Sequence, residues 1–358
     1  MVQRAESEFT LDTAAELAAI EETRAIRGRS PWYLAWRRLR RNYFAFAALG
    51  LFILIVVVCA LAPLYAHHVA HTGPTDQHVV DKIMVNGKQV DVISQGGIIN
   101  GKLVASVPLG PQWFHAGGKY VLGADQLGRD IAVRLLYGGR NSLLVGISSS
   151  AICVFFAVVL ALLAGYFGGW IDFIIARFFD LFYAFPVVLL GIALGSALAI
   201  SGFHHFGLNI QSGSLWIPIL VISYVLIPYV GRPLRGQVLS LREKEFIEAS
   251  ISQGASPLRV MFSELLPNLM SSVLVFFTLI IANNIVLEAA LSFLGAGVQD
   301  PTPSWGKLIS NGQQLIVTRP MLALAPGIAI VLTVLSLNIF GDGLRDALDP
   351  RAKVRVQH

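Results

Sequence analysis

Charged residues are scarce in this sequence. Asp, Glu, Lys and Arg make up 14% of its 358 residues, whereas hydrophobic residues make up 55% and the mean hydropathy is +0.65. Charged residues are about a quarter of an ordinary soluble domain. The composition therefore excludes an ordinary soluble domain and predicts a membrane protein.

Cysteine is nearly absent, because Cys59 and Cys153 are the two in the chain and both lie in apolar runs. This excludes a disulfide framework and a zinc site with CxxC spacing. The closely spaced histidines His67, His68 and His71 lack a carboxylate partner, so we interpret them as solvated surface residues. We predict no metal site.

The sequence also lacks the elements of a nucleotide site or a catalytic site. It has no GxxxxGK[ST] phosphate loop, and its apolar runs contain no HExxH and no Ser/His/Asp arrangement. We therefore expect no catalytic residues and no cofactor in this chain. The net charge of +5 does not indicate nucleic-acid binding, because the basic residues cluster beside apolar runs as orientation signals do.

Six apolar runs are long enough to cross a hydrocarbon core about 30 Å thick. They cover residues 43–65, 142–166, 179–200, 215–231, 268–293 and 321–340. Pro186, Pro218 and Pro228 lie within these runs and are candidate kinks. The sequence predicts an all-α integral membrane protein with six transmembrane helices.

The runs divide the chain into five segments. These are a cytoplasmic tail and interfacial helix (1–41), the first transmembrane helix (42–66), an extracytoplasmic insert and interfacial helix (67–140), a five-helix core (141–343) that contains the polar segment 232–267, and a cytoplasmic tail (344–358). The insert is β-leaning, and its residues 67–119 predict two short hairpins, the first turning at Asn86-Gly87.

The stretch PWYLAWRRLRR precedes the first run and places three aromatic residues beside four arginines. This is typical of a helix at headgroup level with its arginines on the cytoplasmic side. The first run starts only at Tyr43 and lacks a small-residue cleavage site, so we expect no cleavable signal. Arginines and lysines between the later runs predict that both termini are cytoplasmic.

The stretch YVLGADQLGRDIAVRLLYGGRNSLL occupies residues 120–144. Asp125 is placed to cap a helix start, and Asp130 with Arg134 forms an i,i+4 pair on one face. We therefore predict an amphipathic helix at the outer interface.

A long polar segment, residues 232–267, separates the fourth and fifth runs. Its residues 240–253 predict a short amphipathic helix that Gly254 ends in a left-handed conformation. A second helix is predicted to start at Ser256, with Pro257 at its first position. The segment predicts a helix-turn-helix on the membrane surface, although an amphipathic turn lying on the headgroups has the same pattern.

Four stretches, taken in order, resemble the permease subunits of peptide-type ABC importers, the dipeptide/oligopeptide group. They are residues 120–134, the EAA-like stretch 248–254 followed by Leu266-Pro267, LSFLGAGVQDPTPSWG at 291–306 and GDGLRDALDPR at 341–351. The resemblance covers residues 32–351 except the insert 67–119. It departs at Ala124, where the family usually has threonine, and at Glu264, where relatives usually carry histidine or an apolar residue. Trp305 is expected to be an interfacial anchor.

The resemblance implies a type I ABC importer permease fold and a role as half of a translocation path. It implies a second homologous permease subunit, two cytoplasmic ATPase subunits that bind ATP and Mg, and an extracytoplasmic solute-binding protein. The expected location is the bacterial cytoplasmic (inner) membrane, in contact with lipid. The family's motifs imply ATPase-coupling residues Glu248, Ala249, Ser250, Gly254, Ala255 and Pro257, and an outer interface motif of Asp125, Gly128, Arg129, Asp130 and Arg134.

Within the fifth run, Asn283, Asn284 and Glu288 fall on adjoining positions of one predicted helical face. A carboxylate at that depth is expected to face protein or water. Glu288 therefore either lines the pathway or bonds a neighbouring helix.

Peptides are the substrate that the resemblance implies, and nickel, glutathione and oligosaccharides are alternatives carried by similar machinery. A stand-alone secondary transporter is less favoured, because no internal repeat of broken helices is evident.

Overall fold

The computed structural model describes residues 31–99, 102–113, 115–204 and 209–348. Within them the chain is mainly helical, with two small antiparallel hairpins between the first and second long helices. The predictions for residues 1–30 and for the part of the cytoplasmic tail after residue 348 lie outside the described residues.

All four strands of the described chain lie in one block, between its third and fourth helices. The helices are α1 (Pro31–Arg41), α2 (Tyr43–Ala60), α3 (Ala62–Tyr65), α4 (Ile131–Phe167), α5 (Gly169–Tyr183), α6 (Val187–Ser201), α7 (Trp216–Arg242), α8 (Glu245–Ser252), α9 (Pro257–Arg259), α10 (Leu266–Phe293), α11 (Trp305–Gln313) and α12 (Met321–Leu348). The strands are β1 (Lys82–Val85), β2 (Lys88–Asp91), β3 (Ile93–Ile99) and β4 (Lys102–Pro108).

Five helical segments of the described chain are long and apolar enough to cross a membrane, and a bent pair supplies a sixth. The five are α2, α4, α7, the segment Pro257–Phe293 that contains α10, and α12. The predicted all-α membrane architecture with six apolar segments and a small β insert is confirmed.

The third segment differs from the prediction, because residues 179–200 are not one straight span. Helices α5 and α6 meet at 90° across a break that contains Pro186. Proline lacks a backbone N–H and disfavours helical conformation in the residue before it, so a helix is readily broken there.

The second segment is longer than predicted. Helix α4 starts at Ile131 and continues without a break to Phe167, a length of 37 residues. The separate interfacial helix predicted within residues 120–144 is therefore wrong: residues 120–130 form turns and the rest belongs to the spanning helix.

The main core lies where α4 packs along α7. Its buried residues include Val154, Ile222 and Leu226, which belong to one large apolar cluster. Gly165 allows the closest approach, because a Cβ there would lie 2.5 Å from Val238. The absence of a side chain lets the two backbones approach closely, as is common between membrane helices.

The two hairpins confirm the prediction for the insert. Strands β1 and β2 are joined at Asn86-Gly87, and both residues have positive φ (52° and 78°), as a two-residue type I′ turn requires. The insert is fastened to the helices by Tyr65 Oη, which donates to Gly118 O (3.1 Å), and by Arg319 Nε, which donates to Pro108 O (2.7 Å). We call this end of the helices the insert end.

Candidate functional site

Residues 243–259, which we call the knuckle, connect α7 to the last-but-one spanning segment at the end opposite the insert. They contain the short helices α8 and α9. The predicted helix-turn-helix is confirmed, but its first helix is Glu245–Ser252 rather than residues 240–253. The difference arises because α7 extends to Arg242 and absorbs the first part of the polar segment.

One side chain attaches α8 to the rest of the molecule. Within α8, whose residues are all described, Ile247 alone is buried, and it is completely so. It belongs to the large core cluster together with Val260, Met261 and Leu265. Full burial of an isoleucine side chain is worth about 1.5–3 kcal/mol. The knuckle is therefore held against the spanning helices by its own apolar contact.

The turn after α8 has a defined geometry. Gly254 has φ +81°, its N–H donates to Ile251 O (2.9 Å), and the N–H of Ala255 donates to Ser250 O (3.1 Å). These two hydrogen bonds form a Schellman motif, which ends a helix in a fixed direction. A Cβ at Gly254 would meet no atom within 4 Å, so glycine is required by backbone conformation and not by space.

Helix α9 starts as predicted. The Ser256 Oγ accepts a hydrogen bond from the Arg259 N–H (3.4 Å), and Pro257 occupies the first helical position. The capped start fixes the second arm of the knuckle relative to the first.

The outward surface of the knuckle combines apolar and acidic groups. Phe246, Ile251 and Leu258 are 41%, 47% and 63% exposed, and Glu248 and Ala249 are exposed beside them. The other predicted coupling residues lie on the same segment, with Ser250 and Ala255 partly buried and Gly254 and Pro257 exposed. Exposed apolar groups rimmed by polar ones are typical of a protein interaction surface.

Two ion pairs join α5 to α7 near the knuckle. Asp172 accepts two hydrogen bonds from the Arg235 guanidinium, and Asp180 pairs with Arg232. The Arg232 guanidinium also lies over the Tyr183 ring, 4.2 Å from its centroid. Sequence reasoning missed these pairs. The available signal was the three-residue spacing of the two arginines, which places them on one helical face.

A buried ionic cluster lies at the insert end, where the outer interface motif was predicted. Asp125 does not cap a helix: its Oδ1 accepts the N–H groups of Leu127 and Arg129, and its Oδ2 accepts Arg129 Nε (2.7 Å). Gly128 lies in the same tight turn with φ +72°, where a Cβ would overlap the backbone of His78. The prediction that Asp125 caps a helix is wrong.

Asp130 is the residue that caps α4. Its Oδ1 accepts the N–H groups of Ala132 (2.8 Å) and Val133 (3.2 Å), and its Oδ2 accepts the N–H of Tyr120 (2.6 Å). Burial raises the pKa of this carboxyl above its usual range, and the three N–H donors act in the opposite direction. The predicted Asp130–Arg134 ion pair is wrong, because the Asp130 oxygens are used by backbone donors.

Arg134 is completely buried and points to other partners. Its Nη1 donates to Pro74 O (2.9 Å), its Nε lies 3.5 Å from Asp125 Oδ2, and its Nη2 lies 4.0 Å from Asp300 Oδ1. Asp300 also pairs with Lys307 (3.0 Å). The cluster therefore joins the insert, the start of α4 and the loop before α11.

The polar residues of α10 separate into two environments. Glu288 and Asn284 are completely buried, whereas Asn283 is exposed and lies on a different face, which corrects the single face predicted for the three. In the orientation that satisfies both atoms of its amide, the Asn284 oxygen accepts the hydroxyls of Ser149 and Ser150 on α4 (2.9 Å each), and its nitrogen donates to Ile280 O (3.2 Å). Of the two roles left open for Glu288, bonding to a neighbouring helix is the one observed.

Glu288 is the centre of a fully paired network. Its Oε2 accepts Ser142 Oγ (2.7 Å) and its Oε1 accepts Ser292 Oγ (2.6 Å). These hydroxyls in turn accept the N–H groups of Trp305 (3.1 Å) and Val298 (2.9 Å). The network binds α4, α10 and the loop that leads into α11, and both oxygens of the buried Glu288 have a hydrogen-bond donor.

Trp305 is buried, so the predicted interfacial anchor is wrong. It is 1% exposed, and its Nε1 donates to Leu135 O (3.1 Å). Gly139 makes room for its ring, because a Cβ there would lie 2.7 Å from the indole.

The described residues contain no group of three or more His, Cys, Asp or Glu side chains placed to hold a metal ion. Apolar spanning helices, a polar network buried between them and an exposed knuckle define a multi-pass integral membrane protein.

Comparison with known families agrees with this class. The family model described as the binding-protein-dependent transport system inner membrane component matches residues 157–354. The model of the N-terminal TM domain of oligopeptide transport permease C matches residues 30–81. The chain belongs to the family of inner membrane permease components of binding-protein-dependent transport systems, in its peptide-type ABC importer group.

Individual relatives extend over most of the chain. It is 37% identical to the dipeptide transport system permease protein DppC of Alkalihalophilus pseudofirmus, over 90% of this chain and 91% of the relative. It is 37% identical to the glutathione transport system permease protein GsiD of Pectobacterium atrosepticum, over 95% and 97%. Among solved structures, a chain of the inward-facing MetNI methionine ABC transporter aligns at 18% identity and a TM-score of 0.49, covering 61% of this chain and 98% of its own.

Proposed function

We propose that this permease transmits the work of separate ATPase subunits to the translocation path through the knuckle. The observation that carries the proposal is the combination of one buried anchor, Ile247, with an outward face of exposed apolar and acidic groups. A surface that merely lay on lipid headgroups would need neither a Schellman turn nor a completely buried anchor. A partner that grips the outward face moves the knuckle as one unit.

The route from the knuckle into the membrane follows covalent and packed connections. Helix α7 ends at the knuckle and is 27 residues long, about 40 Å. Because Arg235 and Arg232 bind Asp172 and Asp180, α5 is tied to α7 and shares its displacement. Helix α6 follows α5 directly across the 90° break at Pro186, so a displacement of α5 also moves the start of α6. A tilt of α7 therefore changes the position of two further helical segments.

Glu248 supplies the charge expected at the partner contact. Its side chain is exposed on the outward face, and we propose that it pairs with a basic residue of the ATPase. ATP and Mg are bound by that partner, and this chain is a non-catalytic subunit. The knuckle, α1 and both termini are proposed to lie on the cytoplasmic side of the bacterial inner membrane, with the insert outside.

The proposed substrate class is small peptides. The two relatives named above are a dipeptide and a glutathione permease, and glutathione is itself a tripeptide, so the similarity supports one chemical class. A second homologous permease completes the path, and an extracytoplasmic solute-binding protein delivers the peptide.

A site-specific photocrosslinker tests the coupling directly. Placed at Ala249 in the intact transporter, it is expected to capture an ATPase subunit, whereas the same group at the exposed Lys88, the first residue of β2, is not. Uptake of a labelled dipeptide, with glutathione and nickel as competitors, tests the substrate class. Capture of an extracytoplasmic protein at Ala249, or uptake by the isolated chain without partners, would contradict the proposal.

A further inference from the structure

The first described helix carries a concentrated positive charge. Helix α1 has four arginines in eleven residues and no acidic residue. Arg37, Arg40 and Arg41 are exposed, and none of them forms an ion pair with a described residue. Three unpaired guanidinium groups on one short helix strongly favour an anionic partner.

The position of α1 is fixed by contacts with α12. Leu39 is buried in a cluster with Ala45 and Ala347, and Arg38 Nη1 donates to Ala347 O (3.5 Å). The following span starts immediately, because Asn42 caps α2 and accepts the Ala45 N–H (3.1 Å). The exposed arginines are therefore held at the end of an apolar spanning helix.

The exposed face of α1 is aromatic as well as basic. Tyr33 and Trp36 are each about half exposed, and the Arg40 guanidinium lies 5.2 Å from the Trp36 ring centroid. Residues 33, 36, 37, 40 and 41 follow one another at spacings of three, one, three and one, so they form one continuous stripe of the helix. The buried residues Ala35 and Leu39 lie on the opposite side.

Aromatic rings and guanidinium groups on one stripe match the chemistry of the lipid headgroup region. Aromatic side chains insert at that depth, and guanidinium groups bind phosphate oxygens in bidentate fashion. A water-exposed stripe would leave the rings without an apolar environment. We propose that α1 is a binding site for anionic phospholipid headgroups, in which Arg37, Arg40 and Arg41 contact the phosphates.

Lipid binding at α1 is independent of the coupling proposed for the knuckle. Because α1 packs on α12 and not on the knuckle, bound lipid would fix the last spanning helix against the first. The transporter is therefore expected to depend on the anionic lipid content of the membrane, through a site separate from the knuckle where the ATPase is proposed to bind.

Native mass spectrometry of the purified transporter, titrated with phosphatidylglycerol or phosphatidylcholine, tests the proposal. Each basic residue near an anionic surface contributes about 1 kcal/mol, so the variant Arg37→Gln/Arg40→Gln/Arg41→Gln is expected to lower phosphatidylglycerol affinity on the order of 100-fold. The matched control Lys88→Gln/Lys119→Gln/Arg140→Gln removes three positive charges from exposed sites away from α1 and is expected to leave that affinity unchanged. Equal affinity in the first variant and the native protein would overturn the proposal.

Two further experiments distinguish a lipid phosphate from other anionic partners of the arginines. The variant Arg37→Lys/Arg40→Lys/Arg41→Lys keeps the charge and is expected to retain a preference for phosphatidylglycerol over phosphatidylcholine, which keeps the test valid if the glutamine variant misfolds. Soluble glycerol phosphate is expected not to displace the lipid. Displacement would assign the arginines to a soluble phosphate, and capture of a protein by a photocrosslinker at Trp36 would assign them to a subunit contact; either result overturns the lipid site.

Discussion

Ser142 Oγ donates a 2.7 Å hydrogen bond to Glu288 Oε2 and so joins α4 to α10 in the buried interior. The same hydroxyl oxygen accepts the N–H of Trp305 (3.1 Å). One small side chain thus satisfies a buried carboxyl and a buried backbone donor, 146 and 163 residues away along the chain. The arrangement predicts an unusually large effect for the loss of one oxygen atom.

The variant Ser142→Ala is expected to destabilise the protein. It removes one of the hydrogen bonds to Glu288 and leaves the Trp305 N–H without its partner, and an unsatisfied buried group costs about 1–3 kcal/mol. Thermal unfolding in detergent, followed by tryptophan fluorescence, measures the effect. Ser201→Ala is the control, because that exposed hydroxyl donates to a carbonyl of its own helix; an equal loss of stability in both variants would argue against the role of the network.

Substitutions of two isoleucines in α8 are expected to have different effects, one on the stability of the knuckle and the other on ATPase binding. Ile247→Ala removes a completely buried side chain and is expected to cost about 2–5 kcal/mol, which would appear as faster hydrogen exchange in the knuckle. Ile251→Ala, on the exposed face, is expected to leave exchange unchanged and to weaken ATPase binding. If Ile251→Ala left ATPase binding at the native level, the outward face would not be the docking surface.

Gly254 is expected to be sensitive to any side chain. Gly254→Ala forces a non-glycine residue to φ +81° at a cost of about 1 kcal/mol, although the space around it is open. Gly254→Asp adds a charge to the same turn and is expected to abolish uptake while the protein still inserts in the membrane. Gly236→Ala is the control, since its Cβ also meets nothing but its helical conformation suits alanine, and uptake is expected to be retained.

The Asp172–Arg235 pair is expected to contribute to transport more than to stability. Both side chains are about a quarter exposed, so their coupling free energy is about 1 kcal/mol or less. Asp172→Ala and Arg235→Ala are each expected to reduce uptake, and the double variant to be no worse than either, because either single change already breaks this one of the two links between α5 and α7. Additive losses in a double-mutant cycle of uptake rates would show that the two residues act separately.

The local features of the chain were predictable from the sequence. The spans follow from runs of apolar residues, the Asn86-Gly87 turn from its residue pair, and the left-handed Gly254 from its position after an amphipathic helix. Each of these depends on neighbours within a few residues. The predicted start of α8, residue 240, was five residues too early. Helix α7 continues to Arg242, and that continuation depends on its packing against α4.

The long-range contacts could not be predicted in the same way. Arg134 was assigned to Asp130 from their spacing, but Asp125 and Asp300 provide its ionic partners and the backbone takes Asp130. Trp305 is buried because Gly139, 166 positions earlier, leaves room for the indole. The partners of Arg134 and the burial of Trp305 depend on which helices pack together, and helix packing cannot be read from a single sequence.

The uninterrupted helix α4 also determines how far the protein extends beyond the bilayer. Its 37 residues measure about 55 Å, and a tilt of about 20° shortens that only slightly, whereas the hydrocarbon layer is about 30 Å thick. Roughly 20 Å of continuous helix must stand clear of the lipid tails. The same continuous helix that crosses the bilayer therefore also carries the protein rigidly into the water beyond it.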